Sequence, residues 1–486
     1  MNQSSNPSLA GRALAAVALM IGFYALAIGI AAALLYIPYA EVVYAGRIHI
    51  KLAIGCVVGG LAILWAILPR IDRFEAPGPK LDPVEQKELF RTLTQVARGT
   101  GQTMPSEVYI VSDVNAWVSQ RGGVMGFGSR RVMGLGLPLL QTLRVSEFTA
   151  VIGHEFGHFH GGDTSLGPWI YKTRAAIGRT IQSLGDGVLH KPFLWYGNFF
   201  LRVTQAISRR QELAADQLAA AIAGPAALAN GLIAVHRAAP AFDSYWRNEI
   251  VPLLNAGYRP PIADGFRQFV NIDSISSAME KIADEELQHG EADIYDSHPP
   301  LRERLAALGQ LEQRTAPADE PVAASLLRNT SRIERELLAV LGGAELAKSL
   351  KPLSWSAAGT TVFLPFWRER VSKNASVLAD LTPESLSSLI GSMTGLVRKL
   401  DMDGVPPEER VDAAEDVIGC AIAVVLADRG WTPVAEPGRE IEMTRDELVM
   451  RPFSVMRRLR TAELAAEGWQ TELVAAGIAG APLAQR

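Results

Sequence analysis

His154 and His158 are separated by three residues in the sequence HEFGH. The surrounding pattern is helical, and side chains four residues apart on a helix are neighbours on one face. Two such imidazoles can bind one tetrahedral zinc ion, whose ligand atoms lie about 3.3 Å apart. Glu155, next to the first histidine, can then act as general base on a zinc-bound water. The motif predicts a metal-dependent hydrolytic site, and the alternative is a helix with two incidental histidines.

A third ligand must come from elsewhere in the chain. Metzincins carry it six residues after the second histidine, where this chain has Thr164, so that class is excluded. Glu212, in the sequence SRRQELAAD, is the candidate ligand. Asp216 follows one turn later and can orient a ligand histidine through a hydrogen bond. Without HEFGH, such a carboxylate pair is usually a solvated surface feature.

These residues need two helices and a small sheet to position them. The histidine helix is expected from Ser146, as N-cap, to the Gly161–Gly162 pair, and the Glu212 helix from about Thr204 to Ala223. Before them, the pattern predicts a helix over 85–98 and strands over 108–111 and 131–137.

Two uncharged runs near the N-terminus, within 12–41 and over 52–69, each approach or exceed the roughly 20 residues of a transmembrane helix. They predict a membrane-embedded helical hairpin in the lipid bilayer. A cleaved signal peptide is the alternative, but its apolar region spans only about 7–15 residues. Arg12 before the hairpin, and Arg70 and Arg73 after it, place both ends on the cytoplasmic side, where basic residues accumulate.

Composition excludes some kinds of partner and site. The 47 basic and 51 acidic residues give a net charge of −4, which offers no basic field for nucleic acid. The two cysteines, Cys56 and Cys420, allow neither a disulfide framework nor a cysteine metal cluster. Any metal must therefore be held by histidines and carboxylates.

Proline-rich linkers near 76–83 and after 314 divide the chain. The predicted parts are a membrane anchor over 1–75, a metalloprotease domain over 84–314, and an extension over 327–486. The fold class is α+β, mainly α: a transmembrane hairpin, a zincin-like domain with a small sheet and the HExxH helix, and a small α+β extension.

Three motifs in order carry a family resemblance. HEFGH with HGGD to Asp163, then SRRQELAAD, then SHPPLRERL from Ser297, resembles the HtpX and type I CaaX prenyl protease family of membrane gluzincins, over most of 14–308. The resemblance implies zinc bound by His154, His158 and Glu212, with Glu155 as base and Asp216 in support.

The resemblance also implies substrate contacts. His298 matches a family position near the active site, where it would position substrate or stabilise the oxyanion, with a structural role as the alternative. Asn115 and Ala116, before an apparent edge strand, match a segment thought to pair with extended substrate.

Two regions depart from the family. Members usually have further transmembrane helices within the equivalent of 165–208, but its longest uncharged stretch here is 192–201. We expect amphipathic helices against the membrane surface or over the catalytic domain, and core packing is the alternative for the four aromatic residues within 195–200.

The second departure is the C-terminal extension. Helical patterns over 383–400 and 408–428 and strands over 432–434 and 440–443 predict a small mixed domain. The extension shows no catalytic constellation, so its role is open.

The predicted function is that of a membrane-anchored zinc endopeptidase in a bacterial-type inner membrane, with its site facing the cytoplasm. It would cut unfolded or membrane proteins, with membrane-protein quality control implied by the resemblance, and a homo-oligomer is left open. The alternatives are CaaX-type processing of prenylated peptides and a catalytically silent, zinc-stabilised scaffold. The intact Glu155 argues against the scaffold, since a structural zinc site needs no base.

Overall fold

Helices dominate the computed structural model of the chain, with small sheets between them, which confirms the predicted fold class. The structure describes the following residues: 9–68, 73–122, 128–159, 167–185, 187–289, 299–312 and 319–485. The chain forms two compact units: Met1–Ala239 with Glu280–Asn329, and Pro240–Met279 with Thr330–Arg486. Residues 240–279, predicted to lie in the metalloprotease domain, thus fall in the second unit, and the domain division stays a prediction.

The first unit contains the anchor and the motifs. Its elements are α1 (Leu9–Ala45), α2 (Ile50–Ile67), α3 (Lys87–Gly99), β1 (Glu107–Val111), β2 (Ala116–Arg121), β3 (Arg130–Gly136), α4 (Leu137–Thr142), α5 (Val145–Gly157), α6 (Gly167–Leu184), α7 (His190–Ala223), the first part of α8 (Pro225–Tyr245), and, after the elements of the second unit, the later part of α11 (Asp273–His289), α12 (Leu301–Gly309) and a 3-10 helix (Ala323–Leu326).

Helices α1 and α2 form the predicted apolar hairpin. The segments Leu14–Ala45 and Ile50–Ile67 are long and apolar enough to cross a membrane. The helices over 190–223 and 225–255 pass the same test only as a pair bent by 119°, which would raise the number of candidate spans to three. In α2, Gly60 lies against Leu35, where a Cβ would approach that side chain to 3.0 Å.

The small sheet has the order β1-β3-β2, with β1 parallel and β2 antiparallel to β3. β2 therefore lies at an edge. The loop before it closes tightly on β3, because a Cβ on Gly136 would meet the backbone oxygen of Asp113 at 2.0 Å. Only glycine fits there, and its N–H donates to the carbonyl of Asn115 at 2.8 Å.

Helix α7 is longer than its sequence pattern suggested, since it begins at His190 and not near Thr204. Its first half packs on the hairpin, where Phe200 is fully buried. Tyr196 donates from its hydroxyl to the carbonyl of Leu19 at 2.6 Å. The aromatic residues are thus divided between a packed inner face and an exposed outer face.

The second unit has its own core. Its elements are the rest of α8, a π-helix (Trp246–Ile250), α9 (Val251–Asn255), β4 (Tyr258–Arg259), α10 (Ile262–Val270), the first part of α11, α13 (Thr330–Gly342), α14 (Ala344–Ser349), β5 (Lys351–Pro352), α15 (Trp355–Ala358), a π-helix (Gly359–Phe363), α16 (Leu364–Lys373), α17 (Ala375–Leu378), a 3-10 helix (Pro383–Ser385), α18 (Leu386–Leu389), a 3-10 helix (Ile390–Ser392), α19 (Met393–Val397), a 3-10 helix (Pro407–Glu409), α20 (Arg410–Ala427), β6 (Thr432–Val434), β7 (Glu442–Arg445), β8 (Leu448–Met450), α21 (Val455–Arg460) and α22 (Ala466–Ala476).

Helix α20 is the centre of this core, because nearly every residue from Ala414 to Leu426 is buried. It matches the predicted helix over 408–428. The pattern over 383–400 is instead broken into short α and 3-10 segments. The predicted strands correspond to β6 and β7, and the third strand, β8, was not predicted.

Candidate metal centre

Helix α5 carries His154, has His158 as its C-cap residue, and is anchored by its apolar side. Phe148, Ile152 and Phe156 are fully buried. The helix begins at Val145, and the side chain of Glu147 accepts a hydrogen bond from the backbone N–H of Arg144 at 2.9 Å. The prediction that Ser146 is the N-cap is therefore wrong, because it lies inside the first turn.

Small residues bring α5 and α7 close together. A Cβ on Gly157 would lie 2.8 Å from the Cα of Ala215, and one on Gly153 would lie 3.3 Å from the Cα of Ala219. Both pairs repeat at a spacing of four, so the two helix backbones are in contact over about one turn. This approach places the carboxylates of α7 beside the imidazoles of α5.

Three side chains then converge. The Nε2 of His154 lies 3.4 Å from one carboxylate oxygen of Glu212, and the Nε2 of His158 lies 3.6 Å from the other. One donor atom from each residue lies within 4.8 Å of the others. Tetrahedral zinc bound at about 2.0–2.1 Å requires donors about 3.3 Å apart, so the two imidazoles and one oxygen of Glu212 need to approach one another only slightly to hold such an ion.

Asp216 and Arg304 orient His154 through the ring nitrogen that does not face the proposed metal. The Nδ1 of His154 lies 2.8 Å from Asp216, which leaves its Nε2 for a metal. The Arg304 guanidinium forms two hydrogen bonds with the same carboxylate, at 2.6 and 2.8 Å. All three side chains are at most 5% exposed. The bidentate bond fixes the orientation of Asp216, and Asp216 in turn fixes the ring of His154.

The electrostatics favour a cation at His154. Burial opposes the charged imidazole, but hydrogen bonds with Asp216 and Glu212 outweigh it and raise the pKa of His154 to about 9. Burial likewise opposes ionisation of Asp216, yet its bonds with Arg304 and His154 lower the pKa of that carboxyl. In the absence of a metal the position attracts a proton, and a divalent ion would displace it.

Comparisons with known proteins agree with this geometry. Residues 83–312 match the model of peptidase family M48. This part of the chain belongs to peptidase family M48. Protease HtpX of Idiomarina loihiensis is 25% identical over 249 residues, which cover 47% of this chain and 74% of that protein. No solved structure matches the chain.

M48 peptidases are zinc metalloproteases, and the cluster of His154, His158 and Glu212 is one that could bind such a metal. The family match and the two candidate spans make the chain a membrane-associated metallopeptidase. The M48 region contains all three cluster residues as well as Asp216 and Arg304.

Arg304 is a site residue of the M48 region that the sequence analysis missed. It lies in the motif SHPPLRERL, from which only His298 was selected. The available signal was its position on α12, on the same face as the buried Leu301 and Leu308. An arginine on an apolar helix face must have a buried partner, and here the partner is Asp216.

The remaining predicted residues are placed as follows. Glu155 lies on α5, partly buried, between the two histidines. Asn115 is exposed at the start of the edge strand, and Ala116 is buried and pairs with Leu135 of β3. Helix α5 packs against this strand. His298 lies outside the described residues, as do Gly161 and Gly162 at the predicted end of the histidine helix.

Proposed function

We propose that the chain is a membrane-anchored zinc endopeptidase that binds one zinc ion through His154, His158 and Glu212. The observation that carries the proposal is the convergence of these three donors, from two helices far apart in sequence, to within 4.8 Å. Three protein ligands leave a fourth tetrahedral position open, as in catalytic sites and unlike the four-ligand structural sites.

Glu155 supplies the acid–base chemistry in this proposal. When bound, the zinc ion supplies a Lewis acid that makes water acidic near neutral pH and polarises a carbonyl group. Glu155 accepts the proton of the attacking water and passes it to the leaving amine. Asp216 keeps the ring of His154 oriented, and Arg304 keeps Asp216 ionised and in position. Hydrolysis of a peptide bond needs no further cofactor.

The edge strand β2 supports an extended peptide substrate. An edge strand offers unpaired backbone groups that a second chain can bind, largely independently of sequence. β2 lies against α5, with Asn115 and Ala116 at its start. We propose that substrate pairs along this edge, and that His298 positions the scissile carbonyl.

The cellular role follows from membrane attachment. The two candidate spans precede the metalloprotease region, and the chain resembles a protein named Protease HtpX. We propose a site on the cytoplasmic side of a bacterial-type inner membrane that cleaves unfolded or membrane proteins in quality control. The orientation rests on the flanking basic residues alone.

The test compares wild-type protein with Glu155→Gln and Glu212→Gln in detergent. Bound zinc is measured by elemental analysis, and cleavage is measured with an unfolded, carboxymethylated substrate. We expect Glu155→Gln to retain zinc and lose activity, and Glu212→Gln to lose both. Glu303→Gln, on an exposed part of α12, is the matched control and should resemble wild type. Wild-type activity in zinc-bound Glu155→Gln would refute the mechanism, whereas a wild-type protein that binds zinc and cleaves nothing would favour the scaffold alternative.

A further inference from the structure

The hairpin formed by α6 and the first half of α7 lies alongside the candidate membrane spans. The hydroxyl of Tyr196 donates to the Leu19 carbonyl of α1 at 2.6 Å. Arg179 donates from its Nε to the Ala66 carbonyl of α2 at 3.1 Å. Near the tip of the hairpin, a Cβ on Gly59 would lie 3.2 Å from Leu189. Since Gly59 is at the middle of α2, the α6–α7 hairpin reaches about half the length of that span.

The inner face of the α6–α7 hairpin packs against α1. Phe193 and Phe200 of α7 are fully buried in one cluster with Phe23 and Ala27 of α1. The rings of Phe23 and Phe193 meet edge to face with centroids 6.4 Å apart. Buried aromatic contacts of this kind stabilise a specific arrangement. The first half of α7 therefore remains at the level of α1 where both helices are apolar.

The outer face of the same segment is apolar and exposed. Trp195 is 69% exposed and Phe199 45% exposed, and their rings stack with centroids 6.0 Å apart. Leu194 is exposed beside them, and at the same level α1 exposes Ile21. The apolar surface thus continues from the candidate span onto α7. A surface of this composition, continuous with a membrane span, fits lipid acyl chains, with tryptophan at the boundary.

The α6–α7 hairpin enters the lipid layer without crossing it. The uncharged run 192–201 is about half of the roughly 20 residues that a span requires. Lys191, just before it, lies near the tip of the hairpin and is exposed. Arg202, just after the run, is exposed as well. The embedded part is therefore bounded by charges at both ends.

We propose that the segment 193–200 of α7 is embedded in lipid beside α1 and that α7 thereby holds the metal centre at a fixed height above the membrane. α7 is one continuous helix from His190 to Ala223. From Phe200 to Glu212 it rises about 18 Å, at 1.5 Å per residue. The active site is then within about 18 Å of the lipid.

The height of the metal centre above the membrane selects substrates by the distance between their cleavage site and the membrane. This consequence rests on the proposed function. An extended peptide advances about 3.3 Å per residue, so about five or six residues must separate a membrane span from the bond to be cut. Shorter spacers cannot reach the site. Much longer spacers reach it at a lower effective concentration. The preferred substrates are therefore juxtamembrane segments of membrane-anchored chains.

The depth of α7 is tested with a fluorophore on single cysteines in vesicles that contain nitroxide-labelled acyl chains. The background lacks Cys56 and Cys420, and the labelled variants are Phe199→Cys, Arg210→Cys and two controls. Val58→Cys, exposed on α2, should be quenched. Arg98→Cys should not, because it is exposed on α3, whose Gly99 meets Ile222 at the far end of α7. We expect quenching at position 199 and not at 210. Quenching at 199 no stronger than at 98, or equal quenching at 199 and 210, would overturn the proposal.

The height is tested with membrane-anchored substrates that carry one cleavable segment at about two, about eight or about thirty residues from a transmembrane span. We expect the eight-residue spacer to be cut fastest, and the two-residue spacer at least about tenfold more slowly. Equal cleavage rates for the two- and eight-residue spacers would overturn the proposed height of the metal centre above the membrane. Absence of Glu155-dependent cleavage of every substrate, a soluble unfolded one included, would instead contradict the proposed function and leave the quenching result intact.

Discussion

Replacing Arg304 and Asp216 with leucine, separately and together, separates their contribution to stability from their contribution to metal binding. The two side chains form a bidentate pair at 2.6 and 2.8 Å and are at most 5% exposed. Because the pair is buried, the range of about 0–1 kcal/mol for surface ion pairs does not apply. Removing one partner of a buried pair leaves an uncompensated charge and costs about 3–5 kcal/mol.

The double variant is expected to recover much of this loss. With Arg304→Leu and Asp216→Leu combined, no buried charge of the pair is left alone, and replacing both members by apolar residues is often close to neutral. The free energy of unfolding, measured by denaturant in detergent after zinc has been chelated, should therefore fall by far less than the sum of the two single changes. We expect a coupling energy of at least about 2 kcal/mol.

Zinc affinity should not recover in the double variant. Asp216 accepts from the Nδ1 of His154 at 2.8 Å, and loss of such a partner typically weakens metal binding about 10–100-fold. Competition with a fluorescent chelator measures this affinity in each variant. Arg302→Leu is the control, because Arg302 is exposed on α12, the helix that carries Arg304. It should change neither the free energy of unfolding nor the zinc affinity. Additive losses of stability, or wild-type zinc affinity in the double variant, would refute the assigned roles.

Three further predictions concern packing and ionisation. Gly157→Ala should lower the free energy of unfolding by about 1–3 kcal/mol and weaken zinc binding, because its Cβ would press on the backbone of α7. Gly178→Ala is the control and should do neither, since a Cβ there meets nothing within 4 Å. Chemical unfolding measures the stability of each variant, and zinc titration measures its affinity. Burial raises the pKa of the Cys420 thiol to about 12. In a variant with Cys56 replaced, maleimide at pH 8 should therefore label Cys420 on the order of a thousandfold more slowly than an ordinary thiol. Unfolding the chain should remove this protection. Burial also raises the pKa of Glu249, so its ionised form destabilises the folded chain above that pKa. Glu249→Gln should therefore increase the free energy of unfolding at about pH 8 and not at about pH 4, and equal effects at both would contradict this.

The sequence by itself determined the residues of the cluster. The spacing of His154 and His158 is a property of one helix turn, so it is legible without any tertiary contact. Glu212 could be selected because it occurs in a recognisable motif, although nothing local shows that its helix meets the first. The apolar hairpin was equally legible, since uncharged runs of that length have few other uses.

Tertiary structure decided how these parts are held. Arg304 becomes part of the site only because α12 folds back onto α7, a contact between residues 88 positions apart. The close approach at Gly157 depends on an alanine of another helix, which a local pattern does not identify.

The start of α7 at His190 was missed for a related reason. Its first half is stabilised by packing of Phe193 and Phe200 on α1, and not by a periodicity visible within the segment. Local spacing encodes which side chains can do the chemistry, whereas long-range packing determines where they lie and which charges surround them.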